Sequence, residues 1–388
     1  MRIAAVSPHL PTRAMPMRGV SHDEQLRLFA EAGHQVRAVV PLAWSPRRWL
    51  AGVAIPGEER DGVVVVSHPG YPRVPRSLRG VGYGIERWLF AQAAATALMA
   101  GANAPDVVLA HSASLPGGLL GRIGGAVFVV SLYDHEVYDL APASAIVRAG
   151  IVRTLRNADC AVYLSEDLRR HGLDLAGPHR TLVIPLGIHT LAEPAVPPPR
   201  SFTVCTVTRL IARKRVDRLI RVFARLAAER PDARLVIVGD GPERPTLEQL
   251  IRALGIASRV EVTGALDARS AQDRMARASV MALPSVRESL GAVYLEAMSL
   301  GVPALGTRGE GIAEHIEHGV TGILVPPGDD EALLAELRAL AADPDRARRI
   351  GEAGRVRFLA GRFSWRANVN AYLELFEELS RGRAMHTT

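Results

Sequence analysis

Short apolar runs alternate with longer amphipathic segments along most of the 388 residues of this chain. An apolar run that ends in a turn and leads into an amphipathic stretch is typical of a buried parallel strand followed by a helix. The pattern therefore predicts an α/β fold with mostly parallel sheets. The predicted strands are 3–6, 35–40, 63–67, 106–110, 127–132, 161–164, 181–184, 202–207, 234–238, 260–262, 280–283, 302–305 and 322–325. The predicted helices are 21–32, 216–230, 244–254, 268–278, 291–300 and 368–379.

A proline-rich segment interrupts this alternation. Prolines stand at 194, 197, 198 and 199, and such a run favours a stiff, extended chain. The sequence therefore predicts a linker over residues 191–200 between two Rossmann-like, doubly wound domains, 1–190 and 201–364. The final helix, 365–388, is expected to join the first domain. Two such domains would face a central cleft, because doubly wound sheets bind ligands at the C-terminal ends of their strands.

Composition and charge indicate in which compartment the protein lies and which kinds of partner it binds. No apolar stretch reaches the ~18–20 residues that span a bilayer, and residues 1–7 fit a first strand better than a signal peptide. The two cysteines, Cys160 and Cys205, lie in apolar runs without metal-ligand spacing, which predicts buried thiols in a reducing, cytoplasmic compartment. The net charge of +7 is spread along the chain without a basic tail, so we expect no nucleic-acid partner.

Peripheral contact with an anionic membrane is one interpretation of residues 71–90. The segment 71–79 carries several arginines, and Trp88 to Phe90 follows with large apolar side chains. Cations beside large apolar groups are typical of a segment that lies at a membrane interface. The alternative, a loop that leads into a core-packed helix, fits the same residues.

Lys214 is the only lysine among the 47 basic residues, and the others are arginine. Where arginine replaces lysine almost everywhere, a retained lysine indicates a site that needs a compact ammonium rather than a planar guanidinium. Lys214 and Arg209 both follow a predicted strand, in the loop that opens the next helix. Two cations at that place in a doubly wound fold can neutralise a diphosphate. The alternative is the chance survival of one surface lysine.

A second motif lies between residues 282 and 303. Glu288 lies in the loop after a predicted strand, and a helix begins near Leu290. The free backbone N–H groups of Leu290 and Gly291 can hold a phosphate or a sugar hydroxyl. Glu296 lies about 12 Å from Glu288 by helix rise, so the two carboxylates suit two parts of one ligand.

Together these motifs resemble the retaining GT-B glycosyltransferases of family 4. The resemblance covers nearly the whole chain and is most specific between residues 203 and 328. It rests on Arg209, Lys214, the turn 239–242, and the stretches 284–303 and 319–328. The N-terminal pattern over 7–34 is similar to cell-surface polysaccharide members, such as teichuronic or colanic acid transferases. The resemblance implies transfer of a sugar from a nucleotide-diphosphate donor to an acceptor hydroxyl, without a cofactor or a metal ion.

The resemblance also implies roles for the matching residues. Arg209 and Lys214 would bind the donor diphosphate and Glu288 the sugar hydroxyls, so these three are the candidate catalytic residues. Glu296 would bind the ribose hydroxyls. The other candidate donor-binding residues are Gly19, Gly239, Ser289, Leu290 and Gly291.

The first domain, expected to carry the acceptor, departs from the family pattern. His111 ends a strand as in the family, but Tyr133 stands where most members have a histidine. Asp134 or His135 is therefore expected to replace that histidine on the acceptor and sugar side. The segment 184–189 also differs from the usual Ile-Pro-Asn-Gly-Ile-Asp at both polar positions.

Several functions stay open. The acceptor could be a sugar- or lipid-linked molecule at the inner membrane face, or a small molecule of antibiotic metabolism. A GT-B-like sugar-nucleotide epimerase, which works by elimination and needs acid–base residues in the cleft, is a second possibility, and the context of Glu288 and Glu296 argues against it. The changes at Tyr133 and His189 would suit a non-catalytic partner subunit, which the retained Lys214 argues against. A dehydrogenase is disfavoured because neither domain opens with a dinucleotide fingerprint.

Overall fold

Two compact units make up the chain in a computed structural model. The first comprises Met1–Gly187 and Trp365–Thr388, and the second comprises Ile188–Ser364. The residues that the structure describes are 1–8, 10, 20–44, 58–61, 64–74, 81–99, 104–113, 123, 125–133, 136–189, 201–361 and 363–386. The predicted linker, 191–200, lies outside these residues.

The first unit is built on one sheet. Its described strands are β1 Arg2–Val6, β2 Gln35–Val39, β4 Glu58–Asp61, β5 Val64–Ser67, β7 Val107–Ala110, β8 Val127–Ser131, β9 Cys160–Tyr163 and β10 Thr181–Val183. These eight strands follow the order β10-β9-β8-β7-β1-β2-β5-β4. All neighbours are parallel except β4 and β5, which pair antiparallel. Two further strands, β3 Leu42–Trp44 and β6 Gly70–Pro72, pair with each other.

Helices of the first unit connect these strands. They are Val20–Glu31, Val81–Met99, Ala141–Ala143, Ala145–Asn157, Glu166–Ala176 and the C-terminal Trp365–His386, with a π-helical turn at Glu136–Leu140. The C-terminal helix packs into the core of the first unit, where Tyr372 and Phe376 contact Phe29 at ring distances of 6.2 and 5.8 Å. Asn368 of the same helix donates a hydrogen bond of 2.7 Å to the carbonyl of Pro185.

In the second unit the described strands form one parallel sheet. They are β11 Thr203–Val207, β12 Arg234–Val238, β13 Val260–Gly264, β14 Val280–Ala282, β15 Ala304–Thr307 and β16 Ile323–Val325. Their order across the sheet is β13-β12-β11-β14-β15-β16. This is the Rossmann order, in which the chain starts at the sheet centre and reverses its direction across the sheet between β11 and β14. The helices are Val216–Glu229, Arg244–Ala253, Ala268–Ala276, Ala292–Ser299, Asp330–Ala342 and Pro344–Ala360, and the 3₁₀ turns are Ala212–Lys214, Ala257–Arg259 and Gly311–Glu314.

The α/β fold with parallel sheets is confirmed, and the predicted strands differ from the observed ones mainly at their ends. The apolar pattern does not predict β4, whose sequence Glu-Glu-Arg-Asp is entirely charged. This strand lies at the edge of its sheet, and charged residues are a common feature of strands in that position. The pattern also misses β3 and β6, which lie outside the main sheet.

The structure bears on two expectations from composition, the burial of the cysteines and the lack of an apolar stretch that could span a bilayer. Both cysteines are buried free thiols, and burial raises the pKa of Cys160 to about 11 and that of Cys205 to about 12. None of the described helices is both long and apolar enough to cross a bilayer.

Candidate functional site

Four loops meet at the C-terminal edge of the sheet in the second unit. They follow β11, β12, β14 and β15, and parallel strands necessarily present these ends on the same side. Backbone hydrogen bonds join them in pairs. Leu210 donates to the carbonyl of Asp240 at 2.9 Å, Val286 to Arg213 at 2.9 Å, and Gly311 to Glu288 at 2.9 Å. The predicted residues Arg209, Lys214 and Glu288 therefore lie in a connected set of loops.

Lys214 and Glu288 form an ion pair in which Nζ of the lysine donates to Oε2 of the glutamate. The two residues are 74 positions apart in the sequence. Their side chains are only 12% and 6% exposed. A charge that is withdrawn from water in this way needs a partner, because an unpaired buried ion costs several kcal/mol. The sequence predicts both residues as site candidates but does not predict that they pair.

Arg209 differs from Lys214 in its surroundings. Its side chain is exposed, and no acidic group among the described residues pairs with it. The turn that begins with Gly239 packs against the backbone on either side of Arg209. A Cβ atom on Gly239 would lie 1.8 Å from the carbonyl oxygen of Thr208, and one on Gly241 would lie 2.3 Å from that of Leu210. The two glycines thus allow the turn to pack directly against the backbone that carries Arg209.

The helix Ala292–Ser299 starts beside Glu288. Gly291 is its N-cap residue, with φ of 67°, and no side chain caps the helix. The first N–H groups of a helix have no partner within it, so this end offers donors to an anion or a hydroxyl. A Cβ atom on Gly291 would lie 2.4 Å from the ring of Tyr294, whose hydroxyl donates to the carbonyl of Leu283 at 2.5 Å. Tyr294 therefore ties the helix start to the end of β14.

Ser289 and Leu290 bridge Glu288 to this helix. Both are buried, at 4% and 2% exposure. Glu296 follows on the helix, and burial raises the pKa of its carboxyl group. In the described part of the chain, the Glu296 side chain has no hydrogen-bond or ion-pair partner. A half-buried carboxylate of this kind can accept hydrogen bonds from hydroxyl groups of a ligand.

A second polar cluster lies at the C-terminal ends of β1, β7 and β8 in the first unit. The His111 ring stacks on that of His22, with centroids 4.2 Å apart, and His22 also contacts Tyr133 at 5.1 Å. Ser7 completes the cluster through a hydrogen bond of 2.9 Å between its hydroxyl and Nδ1 of His22. Two of the predicted residues, His111 and Tyr133, are thus brought together. Gly19, Asp134 and His135 lie outside the described residues.

His111 is held in one tautomer by a chain of hydrogen bonds. The carbonyl of Pro185 can only accept, so Asn368 donates to it and accepts from Gln25 at 2.8 Å. The amide oxygen of Gln25 must then accept from Nε2 of His111, at 2.9 Å. Burial, and to a lesser extent His22, lower the pKa of His111 well below its usual value. His111 therefore stays neutral, with its proton on Nε2.

Sequence reasoning misses several polar residues of this cluster. His22 and Gln25 lie three positions apart on the helix Val20–Glu31, so both can face the end of β7, but such spacing is common in any helix. Glu136 is fully buried and accepts hydrogen bonds from the hydroxyl of Ser112 and from the N–H of Tyr133. Burial also raises the pKa of Tyr133, which keeps its phenol protonated. Within the described residues, no group of three or more His, Cys, Asp or Glu side chains could hold a metal ion.

Comparison with known proteins places the chain in a family. The family model for glycosyl transferases group 1 matches residues 190–357, and the glycosyl transferase 4-like domain matches residues 20–187. The chain is 31% identical, over 90% of its own length and 94% of the relative's, to a GDP-mannose-dependent alpha-(1-6)-phosphatidylinositol monomannoside mannosyltransferase of Mycolicibacterium smegmatis. The chain belongs to the GT-B glycosyltransferases of family 4. This confirms the resemblance to GT-B family 4 and the glycosyltransferase activity class that the motifs predict.

Solved structures support the same fold for this glycosyltransferase. A sucrose-phosphate synthase of Thermosynechococcus elongatus matches 98% of the chain and 100% of its own, with a TM-score of 0.78 and 20% identity. Anabaena HepE in complex with UDP and glucose matches 97% of the chain and 100% of its own, with a TM-score of 0.73 and 19% identity. At these identities the structures establish the GT-B architecture only.

The close packing at Gly239 leads to a stability prediction. Gly239 has φ of 138°, and its Cα faces the Thr208 carbonyl without room for a methyl group, whereas Gly255 has φ of 69° and open space around its Cα. Gly239→Ala should lower the free energy of unfolding by about 3 kcal/mol or more, because strain and overpacking add. Gly255→Ala should cost only about 1–2 kcal/mol, the penalty of a left-handed residue. Urea denaturation followed by circular dichroism would measure both, and equal losses would contradict the close contact at Gly239.

Proposed function

We propose that this glycosyltransferase uses a nucleoside-diphosphate sugar as its donor and binds it on the second unit. The observation that carries the proposal is the arrangement of two cations, the exposed Arg209 and the partly buried Lys214, at one edge of the sheet. A diphosphate carries two negative charges, and such groups bind where strands end and helices begin in doubly wound folds. The similar mannosyltransferase of Mycolicibacterium smegmatis is GDP-mannose-dependent, and the similar Anabaena structure holds UDP.

The remaining predicted residues suit the other parts of such a donor. Glu288 would bind the sugar hydroxyls, and the N–H groups from Ser289 to Gly291 would meet the diphosphate at the helix start. Glu296 would accept hydrogen bonds from the ribose hydroxyls, since its carboxylate has no partner among the described residues. Gly239 would act indirectly, because it supports the backbone that carries Arg209.

We further propose that transfer retains the anomeric configuration and needs no metal ion. In that reaction the bond between the anomeric carbon and the diphosphate oxygen breaks, and the acceptor oxygen bonds to the same face of the carbon. The acceptor proton passes to the departing diphosphate, so no protein nucleophile takes part. Arg209 and Lys214 would stabilise the charge that develops on the diphosphate, and fixed charges of this kind are a large source of rate enhancement.

The acceptor is proposed to be a lipid-linked sugar used in cell-surface polysaccharide or glycolipid assembly, with the enzyme on the inner face of the cytoplasmic membrane. In the first unit, Ile85, Trp88 and Ile146 are 41%, 50% and 47% exposed. Ile146 lies against the helix Val81–Met99, since a Cβ on Gly84 would be 2.8 Å from it, so the three side chains belong to neighbouring helices. The helix Ala145–Asn157 adds the exposed Arg148 and contains no acidic residue. Exposed apolar groups beside cations suit an anionic bilayer surface.

Binding of the donor can be tested by thermal stabilisation with UDP-, GDP-, ADP- and dTDP-sugars. A ligand at about 100 times its Kd adds about 2.7 kcal/mol of stability, which corresponds to a shift of several degrees in Tm. One nucleotide should stabilise the wild-type protein, and Arg209→Ala and Lys214→Ala should each abolish the shift. Arg221→Ala, an exposed arginine on the helix Val216–Glu229, is the matched control and should keep it.

The two variants differ in what they leave behind in the folded protein. Lys214→Ala leaves the buried Glu288 unpaired, so each variant is compared with its own Tm without ligand. Arg209→Ala breaks no ion pair in the described residues and is the cleaner variant. If no nucleotide sugar stabilises the wild-type protein, the proposed donor class is wrong.

The stereochemical course is tested on the product. Once a donor is identified, proton NMR of the product formed with a simple glycoside acceptor should show the same anomeric configuration as the donor. Product with the opposite configuration would rule out the retaining mechanism. Addition of EDTA should leave the rate unchanged if no metal ion takes part.

Membrane contact is tested by sedimentation with vesicles of phosphatidylcholine containing phosphatidylglycerol. Trp88→Ala should weaken binding by about tenfold or more, since burial of a large apolar side chain contributes roughly 1.5–3 kcal/mol. Leu359→Ala, at an apolar residue of the second unit that is more exposed than Trp88, should have no effect. Equal binding by both variants and the wild-type protein would exclude this surface as the contact.

A further inference from the structure

Both backbone groups of Glu288 are held by one loop, Gly309 to Gly311. The N–H of Glu288 donates to Oε2 of Glu310 at 2.6 Å, and the carbonyl of Glu288 accepts from the N–H of Gly311 at 2.9 Å. The Glu310 side chain therefore contacts Glu288, the candidate sugar-binding residue, at the main chain of Glu288. A hydrogen bond from an N–H to a carboxylate is stronger than one between neutral groups, so this contact is a firm restraint.

The segment that carries Glu288 needs such a restraint. Arg287 has φ of 55°, a left-handed conformation that is unfavourable for a residue with a side chain. Strain of this kind persists only where the surroundings enforce it, and it is common at binding and catalytic sites. On one side, Nη1 of Arg213 donates to the carbonyl of Arg287 at 2.9 Å, and Val286 donates to the carbonyl of Arg213. On the other side, the loop that contains Glu310 forms hydrogen bonds with the backbone of Glu288.

Gly311 fits this function because the contact leaves no room for a side chain. A Cβ atom there would lie 1.7 Å from the carbonyl oxygen of Ser289. The loop from Glu310 to Gly311 therefore packs directly on the backbone of Glu288 and Ser289. The backbone of Glu288 is thus fixed in place, and its carboxylate accepts a hydrogen bond from Nζ of Lys214.

We propose that Glu310 is a positioning residue that sets where the Glu288 carboxylate lies and so determines how strongly the enzyme prefers a nucleotide sugar to the bare nucleotide. The inference rests on the proposed donor class. Glu288 is the group assigned to the sugar, while Arg209 and Lys214 are assigned to the diphosphate. Without Glu310, the strained loop relaxes and Glu288 moves away from both the sugar and Lys214. The sugar then loses its contact, and the diphosphate gains a lysine that is no longer neutralised.

Loss of the Glu310 side chain should change the Kd of the nucleotide sugar and the Kd of the bare nucleotide in different ways. In Glu310→Ala, calorimetry should show that the Kd for the nucleotide sugar rises about tenfold or more. The Kd for the matching nucleoside diphosphate should stay the same or fall. Glu310→Gln should keep most of the wild-type preference, because its amide oxygen still accepts from the Glu288 N–H although it lacks the negative charge. Glu317→Ala, an exposed glutamate whose side chain has no partner among the described residues, is the matched control.

Hydrogen exchange gives a second readout that needs no ligand. The amide of Glu288 should exchange at least about tenfold faster in Glu310→Ala than in the wild-type protein, and Glu310→Gln should retain the protection. Unchanged exchange in Glu310→Ala overturns the proposal, as does equal weakening of both ligands, which would indicate a general structural defect. A Glu310→Gln variant that behaves like Glu310→Ala also overturns it. If the wild-type protein binds no nucleotide, the proposed donor class fails, and the exchange comparison still decides whether Glu310 holds Glu288.

Discussion

The largely buried ion pair between Lys214 and Glu288 is the interaction on which the candidate site depends. Each side chain is largely withdrawn from water, so each charge relies on the other for stabilisation. The pair also joins the loop after β11 to the loop after β14, the two strands at which the chain reverses direction across the sheet. A ligand that binds there has to offer Lys214 at least as favourable a partner as Glu288. A diphosphate does so, and its sugar offers hydroxyl donors to the Glu288 carboxylate in return, so a complete donor satisfies both charges.

Backbone packing gives this pair its geometry. Gly239, Gly241 and Gly311 each lie so close to a neighbouring carbonyl that a methyl group would overlap with it. Side chains that bind ligands are more precise when the loops under them are rigid, and direct contact between main chains is a rigid form of support. The left-handed Arg287 fits the same explanation, since two loops enforce a conformation that the residue would otherwise avoid.

The sequence predicts some parts of this arrangement and not others, for physical reasons. Strands such as β1 and β11 are predictable because parallel strands are buried on both faces and must be apolar. Arg209, Lys214 and Glu288 are predictable as site residues because parallel strands end at one edge, so their loops must be close. The pairing of Lys214 with Glu288 and the role of Glu310 are not predictable, because they depend on side-chain directions within loops. The Gly239 turn has no signature that distinguishes a ligand contact from support of a neighbouring loop.

The first unit shows why its polar cluster is harder to predict than that of the second. Its members come from β1, β7, β8 and two helices, one of them at the far end of the sequence, so no local motif connects them. Asn368 and Gln25 are 343 positions apart, yet together they decide which nitrogen of His111 carries the proton. Because burial keeps His111 neutral, His22 stacks on an uncharged ring. A substitution at Asn368 would therefore affect His111 through Gln25, although Asn368 itself contacts neither histidine ring. This long-range dependence cannot be inferred from the residues near His111 alone.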